Sequence, residues 1–321
     1  MAGFTVTGLT TYIKENVDDI YVASITKSET LQVPGISIMA GVKNAQKLTL
    51  FANTAPFQVG GTCAFNASGS STFSNRTLTV SPLKVNDTFC PEDLQVKFTS
   101  TKLIAGSNYD SLGFYEKLIN ESVMNNIQLG IEQAIWKGDT ASVGSNVLKQ
   151  FDGWLKTIDA ASPVYATATA AVTTGNIIGI MDEIYTLIPA ALLNNPAKPL
   201  MAFMGWDTFR KLILALKNAN AFNFFPEATW TTGEFTMPGI GLKVKSVHGL
   251  DNGQLGEAAS YKDRIVCTYP SNLFYGCDLT GEEDTIKSWY SMDDQNVKIS
   301  VKWKSGVQIA YGSEIVTYKN S

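Results

Sequence analysis

An α+β fold follows from three features of this sequence. Residues 109–137 repeat apolar side chains every four positions with no proline among them. Segments 47–51, 76–85 and 297–311 alternate apolar and polar residues with the period of two that marks a half-buried strand. Between about 160 and 279, helical and strand-like stretches interleave. The chain of 321 residues has room for one large domain or two ordinary ones, and 45% apolar with 17% charged residues belongs to a folded chain.

In chain order, residues 6–20 carry a weak helical pattern, and "LQVPGISIMAGV" at 31–42 reads as extended, interrupted by Pro34 and Gly35. "KLTLF" at 47–51 and "RTLTVSPLKV" at 76–85 read as strands. About 25 residues without hydrophobic periodicity separate them, far more than an ordinary hairpin connection needs. This stretch and the start of the second strand contain "GTCAFNASGSSTFSNRTLTV", with Cys63 and N-x-S/T sequons at Asn66 and Asn75. A glycosylated loop, a linker or an arm that orders on a partner would each look like this. The first 24 residues lack the basic start, apolar core and small-residue cleavage site of a secretory signal, which argues against glycosylation. Strands on both sides argue against a linker and leave the arm.

The stretch 109–137 predicts one long helix. Ser107 or Asn108 can cap its start, Asp110 and Glu116 suit the positive end of its dipole, and Lys137-Gly138 is a stop signal in which glycine adopts the left-handed conformation. Its apolar row is Tyr115, Ile119, Val123, Ile127, Ile131 and Ile135. Steps of four overshoot a turn by about 40°, so the buried stripe winds and successive turns face different neighbours. That geometry suits a spine better than a member of a compact bundle.

Beyond it, 176–188 reads as a helix stopped by Pro189, "KPLMAFMG" as a buried strand, and "WDTFRKLILALKNAN" as a helix with Asp207 in its first turn. "GLKVKSVHGL", "RIVCTYP" and "SNLFYGCD" read as strands. "VKISVKWKSGVQIAYG" predicts an antiparallel hairpin turning at Lys304-Ser305-Gly306, after which "SEIVTY" closes the chain.

The chemistry is sparse. A net charge of −4 lacks the basic footprint of sequence-driven nucleic-acid binding, and no run of about 18 apolar residues marks a membrane span. The four cysteines form no C-x-x-C pair and read as reduced. The single histidine, His248, sits beside Gly249 with no nucleophile motif and reads as a strand-end or surface residue. There is no P-loop and no G-x-S-x-G elbow. The acidic runs at 281–284 and 292–295 lack EF-hand spacing and read as solvated turns. No catalytic, cofactor-binding or metal-binding residue is assigned, and a protein of this size without a site works through its surfaces.

The phrases "VSPLKVNDTFCPEDLQ", "GIEQAIWKGDT", "MGWDTFRKLILAL", "PSNLFYGCDLTGEED" and "VKWKSGVQIAYGSEIVTY", in that order and spacing, resemble the major capsid proteins of tailed phages, the Hong Kong 97 type fold. They look most like a branch common in phages of Bacteroidetes-type hosts, and the resemblance covers nearly the whole chain. It implies an N-terminal arm at 1–45 and an extended loop at 46–100 lying over the adjacent subunit. A peripheral domain would combine 101–159, with its spine helix, and the C-terminal strands 280–321, while 160–279 would form an axial α/β domain. It further implies pentamers and hexamers of an icosahedral phage head, assembled in the bacterial cytoplasm around non-specifically contacted double-stranded DNA. Portal, decoration proteins and a separate scaffolding protein would be its partners. The expected intersubunit contacts on the loop are Cys63, Phe65, Asn66, Phe73, Asn75 and Arg76. With no lysine between Lys47 and Lys84, the covalent subunit linkage of some relatives is not expected. The competing readings are an encapsulin-like nanocompartment shell, a secreted adhesin and an unrelated α/β enzyme.

Overall fold

The computed structural model describes residues 28–54, 57, 60, 68–90, 124–143, 147–167, 170–193, 198–219, 232–237, 239–254, 256–278 and 286–320. The weak helix at 6–20, the first half of the long helix and the acidic run 281–284 lie outside them.

The first described elements are β1 (Ser37–Met39), β2 (Ala45–Thr54), β3 (Ser70–Thr79) and β4 (Ser81–Phe89), then α1 (Met124–Lys137) and α2 (Trp154–Ala160). A mixed block follows: β5 (Val164–Tyr165), α3 (Ile177–Leu187), β6 (Met201–Met204), α4 (Trp206–Asn218), β7 (Glu234–Thr236), β8 (Lys243–Ser246) and β9 (Ile265–Thr268). The last strands are β10 (Leu273–Cys277), β11 (Ile286–Ser291), β12 (Asn296–Ile309) and β13 (Val316–Tyr318).

The described residues form three sheets. β1, β10, β12 and β11 lie in that order, with β4 also paired to β12; β5, β13, β9, β6, β8 and β7 form a six-stranded sheet; β2 and β3 form a ribbon. The second expected strand, 76–85, is in fact two. The chain breaks at Val80, whose N–H donates to the Asn44 carbonyl (2.9 Å), so β3 stays with β2 while β4 joins β12. β10 belongs to the five-stranded sheet and β13 to the six-stranded one, so the two sheets exchange strands near the C-terminus.

The hairpin expected at Lys304-Ser305-Gly306 does not form. β12 is one continuous strand of 14 residues. Val297, Ile299, Val301, Trp303, Val307 and Ile309 all occupy odd positions, and buried Ser305 keeps the phase through the middle. A period of two that never slips belongs to one strand. Gly306 is there because of close approach: a Cβ would collide with the Thr79 carbonyl.

The inner face of this long strand packs on α1 and α2. Residues 124–137 of the expected helix are helical, and Ile127, Ile131 and Ile135 of its apolar row are buried. The last turn is buried on more than that row, since Glu132, Ala134, Trp136 and Lys137 are covered too. Trp136 meets Trp154 edge-on at 5.0 Å and Phe203 at 5.4 Å between ring centroids. Gly138 does follow the helix, though not in the left-handed conformation. Its missing side chain leaves room for the Phe151 carbonyl, while its own carbonyl accepts from the Gly153 N–H at 2.8 Å.

A second core lies between the six-stranded sheet and helices α3 and α4. Along β6, Ala202 and Met204 face this core while Met201 and Phe203 face the first. A strand covered on both faces needs apolar residues at every position, which explains the unbroken "MAFM". The 292–295 run is the turn between β11 and β12, and Asp294 pairs with Lys298.

Candidate assembly interface

β2 and β3 are paired without a slip from Ala45↔Thr79 to Thr54↔Ser70. Ten residues per strand give a ribbon about 34 Å long at about 3.4 Å per residue. The strands run well past the expected 47–51 and 76–85, and their extra residues, "SSTFSN", are exposed on both sides. Hydrophobic alternation marks only strands with one buried face, so this extension left no such pattern.

The two faces differ. Gln46, Leu48, Arg76 and Leu78 share one face, where Leu48 and Leu78 are buried with Val42 and Val80 against Met39 and Phe274. Gly276 and Gly306, paired across β10 and β12, make the seat for this root. A Cβ on Gly276 would stand 2.9 Å from Leu78 Cδ2 and 3.0 Å from Val80 Cγ1. The Gln308 amide donates to the Thr77 carbonyl at 2.8 Å, and the Tyr311 hydroxyl to that of Phe51 at 3.5 Å.

The other face carries Thr49, Phe51, Phe73 and Asn75. Phe51 and Phe73 are direct cross-strand partners with ring centroids 4.9 Å apart, yet they remain 49% and 72% exposed. Toward the tip, Asn53 Nδ2 donates to Ser71 Oγ at 2.7 Å and the Thr54 hydroxyl to the Ser70 carbonyl at 3.3 Å. A two-stranded ribbon is marginally stable alone, and an exposed aromatic pair is large apolar surface left in water. The arrangement can bury those rings against another surface.

Of the contact residues named from sequence, Phe73 and Asn75 lie on this outward face and Arg76 on the inward one. Cys63, Phe65 and Asn66 lie outside the described residues. Phe51 was not among the residues named from sequence. Its place in "KLTLF" was visible, but only the register with Phe73 makes the pair.

A second feature anchors the start of the described chain. Glu132, fully buried on α1, accepts from the Thr30 N–H at 3.0 Å and from the Thr30 hydroxyl, which in turn accepts from Trp136 Nε1 at 2.7 Å. Burial pushes the Glu132 carboxyl above its ordinary range, and the Thr30 hydrogen bonds oppose that shift. One turn later, the Lys137 ammonium donates to the Asp251 carbonyl (2.7 Å) and to Glu257 Oε1 (2.9 Å); burial pulls its pKa down against these partners.

His248 lies in a short 3-10 turn beyond β8, not in the strand. It stacks on Trp206, its Nδ1 is 2.7 Å from Asp251 Oδ2, and its N–H donates to Glu29 at 3.0 Å. These are structural contacts at the start of α4, where Asp251 also accepts the Trp206 N–H. Cys90, Cys267 and Cys277 are unpaired, and burial pushes the Cys267 thiol up to about 12, which makes it a poor nucleophile. Among the described residues no His, Cys, Asp or Glu cluster is placed to hold a metal. No helix among them is long and apolar enough to cross a membrane.

No family model and no curated protein sequence matches this chain. Solved structures do. A chain of the satellite phage P4 procapsid that includes the size determination (Sid) protein aligns with a TM-score of 0.58 at 13% identity, over 100% of this chain and 92% of that one. The capsid of an empty GTA particle aligns at 0.54 and 11% identity, over 89% and 88%. The capsid of Myoviridae phage XM1 gives 0.51 and 13%, over 89% and 90%. The fold is therefore that of phage capsid chains, the Hong Kong 97 type expected from the sequence.

Proposed function

We propose that this chain is the major capsid protein of a tailed phage, a structural subunit that self-assembles into the pentamers and hexamers of an icosahedral head around double-stranded DNA. The observation that carries the reading is the Phe51–Phe73 ribbon, rooted in a glycine seat and projecting from a body whose fold matches capsid chains over its whole length. The arm is assigned to 1–45, the intersubunit loop to 46–100, the peripheral domain to 101–159 with 280–321, and the axial domain to 160–279. The loop's outward face lies on a neighbouring subunit, and scaffolding, portal and decoration proteins are separate chains. The particle is the protein's location, and its role is structural, not catalytic.

Expression in a bacterial host followed by sedimentation and negative-stain microscopy tests this. Hollow icosahedral particles, or pentamers and hexamers, are expected. A strictly monomeric protein with saturable small-molecule binding would sink the reading. Particles that enclose protein instead of DNA would transfer the chain to the encapsulin-like shells.

A further inference from the structure

Asn-Gly occurs once in the sequence, at Asn252-Gly253. A glycine has no side chain to keep its nitrogen from the preceding asparagine's amide carbon, so this dipeptide is where an amide is most readily lost. The fold puts it at a junction. Asp251, just before it, accepts the Trp206 N–H at the start of α4, and the Asp251 carbonyl accepts from Lys137 at the end of α1.

Both reacting groups are tied down. Asn252 clasps Asp263 twice: its Nδ2 donates to Asp263 Oδ1 at 2.8 Å, and its Oδ1 accepts the Asp263 N–H at 2.8 Å. Asp263 is buried, holds a left-handed backbone (φ +50°) and also accepts from Lys211 Nζ at 2.9 Å. The Gly253 N–H donates to Glu257 Oε2 at 2.9 Å, and the other oxygen of that carboxylate holds Lys137. To lose the amide, the Gly253 nitrogen must shed its proton and attack Asn252 Cγ. A carboxylate on that N–H opposes the negative charge the nitrogen acquires. Turning Cγ toward the nitrogen also breaks both bonds to Asp263. The closed turn is therefore guarded, and the reaction runs from a locally opened form.

We propose that Asn252-Gly253 is a guarded deamidation site, a one-way covalent record of opening at this junction. In the opened turn the Gly253 nitrogen bonds to Asn252 Cγ and gives its proton to water. The Cγ–Nδ2 bond breaks, and the nitrogen takes up a proton from water and leaves as ammonia. Water then opens the succinimide at either carbonyl, leaving aspartate or isoaspartate at position 252; nothing is oxidised or reduced. Neither product re-forms the turn as it was. The Nδ2 donor to Asp263 is replaced by an acceptor, and two carboxylates meet where a carboxylate and an amide had paired. The isoaspartyl product also adds a methylene to the main chain. The inference does not depend on the shell reading.

Incubation of the purified chain at mildly alkaline pH, in buffer and in urea, followed by peptide mass spectrometry with separation of isoaspartyl peptides, tests the proposal. In urea, Asn252 is expected to lose its amide faster than any other asparagine of the chain. In buffer the loss should be at least tenfold slower, and chains already modified should unfold at lower urea than unmodified ones. Equal rates in the two conditions would overturn the guard, and no loss at Asn252 in urea would overturn the site. A Lys211–Asn252 amide cross-link, which releases the same ammonia and forms no acid, would overturn it too. Asn252→Asp installs one product directly and should lower the urea midpoint. An unchanged midpoint, in that variant or in the modified chain, would remove the one-way step.

Discussion

Gly276 stands directly across from Gly306, and the space left by their missing side chains is filled by Leu78, Thr79 and Val80 at the root of the ribbon. The pair makes the sheet thin where a third segment crosses it. Gly306→Ala drives a methyl into the Thr79 carbonyl, which neither backbone can yield easily. A loss of about 2 kcal/mol or more is expected, in the range for overpacked sites. The denaturant midpoint of the dissociated subunit reads it. A midpoint equal to that of the unaltered chain would show that β12 and β3 are not held at this distance.

The exposed ring pair should behave in the opposite way. Phe73→Ser removes a side chain that is mostly in water, so subunit stability should stay within about 0.5 kcal/mol. Particle yield should fall at least tenfold, because the ring's burial would be realised only on a neighbour. Density-gradient sedimentation beside a thermal melt separates the two effects. Normal particle yield would remove the ribbon's outward face from the assembly surface.

Glu132 gives a pH dependence with a defined sign. Its folded-state pKa is raised above the ordinary value of 4.5, chiefly by burial. The folded state therefore holds its proton more tightly, and the associated stability is present below the ordinary value and lost as pH rises through the folded one. Glu132→Gln keeps an oxygen that accepts from Thr30 and has no charge to bury. At neutral pH the variant should match or exceed the unaltered chain in urea, with the difference vanishing under acid conditions. A variant weaker at neutral pH would mean that the charged carboxylate is worth more to Thr30 than its burial costs.

Lys137 and Glu257 form an ion pair with side chains 0% and 1% exposed. Glu257→Gln strands a buried ammonium and also weakens acceptance from the Gly253 and Gln254 N–H groups. A loss of about 3–5 kcal/mol is expected for a broken buried pair. Adding Lys137→Met removes the stranded charge and should recover part of that loss. A double-mutant cycle in urea measures the coupling, and additive losses would count against a direct pair.

What was legible in the sequence tracks what a local pattern can encode. α4 was visible because Asp207 starts it and one stripe of it is buried, and β6 because strands covered on both faces are apolar throughout. The 304–306 triplet misled for a physical reason: Lys-Ser-Gly is turn chemistry locally, and Gly306 serves a close approach by Thr79, more than two hundred residues away in the chain. The far half of the ribbon was hidden because neither of its faces is buried within one subunit, so selection for a core left no alternation. His248 read as a strand-end or surface residue and is exposed just beyond β8, but nothing local reports its stacking on Trp206.

The sequence by itself determined much of the secondary-structure repertoire, the buried row Ile127, Ile131 and Ile135 of α1 and the order of segments that resembles a capsid chain. Periodicity, caps and breakers act over a few residues and can be read there. Only the tertiary structure decided that β12 is one strand, that β3 and β4 part at Val80, and that Phe51 faces Phe73. Each depends on register between segments far apart in the chain, and a shift of one residue would send every one of those side chains to the opposite face.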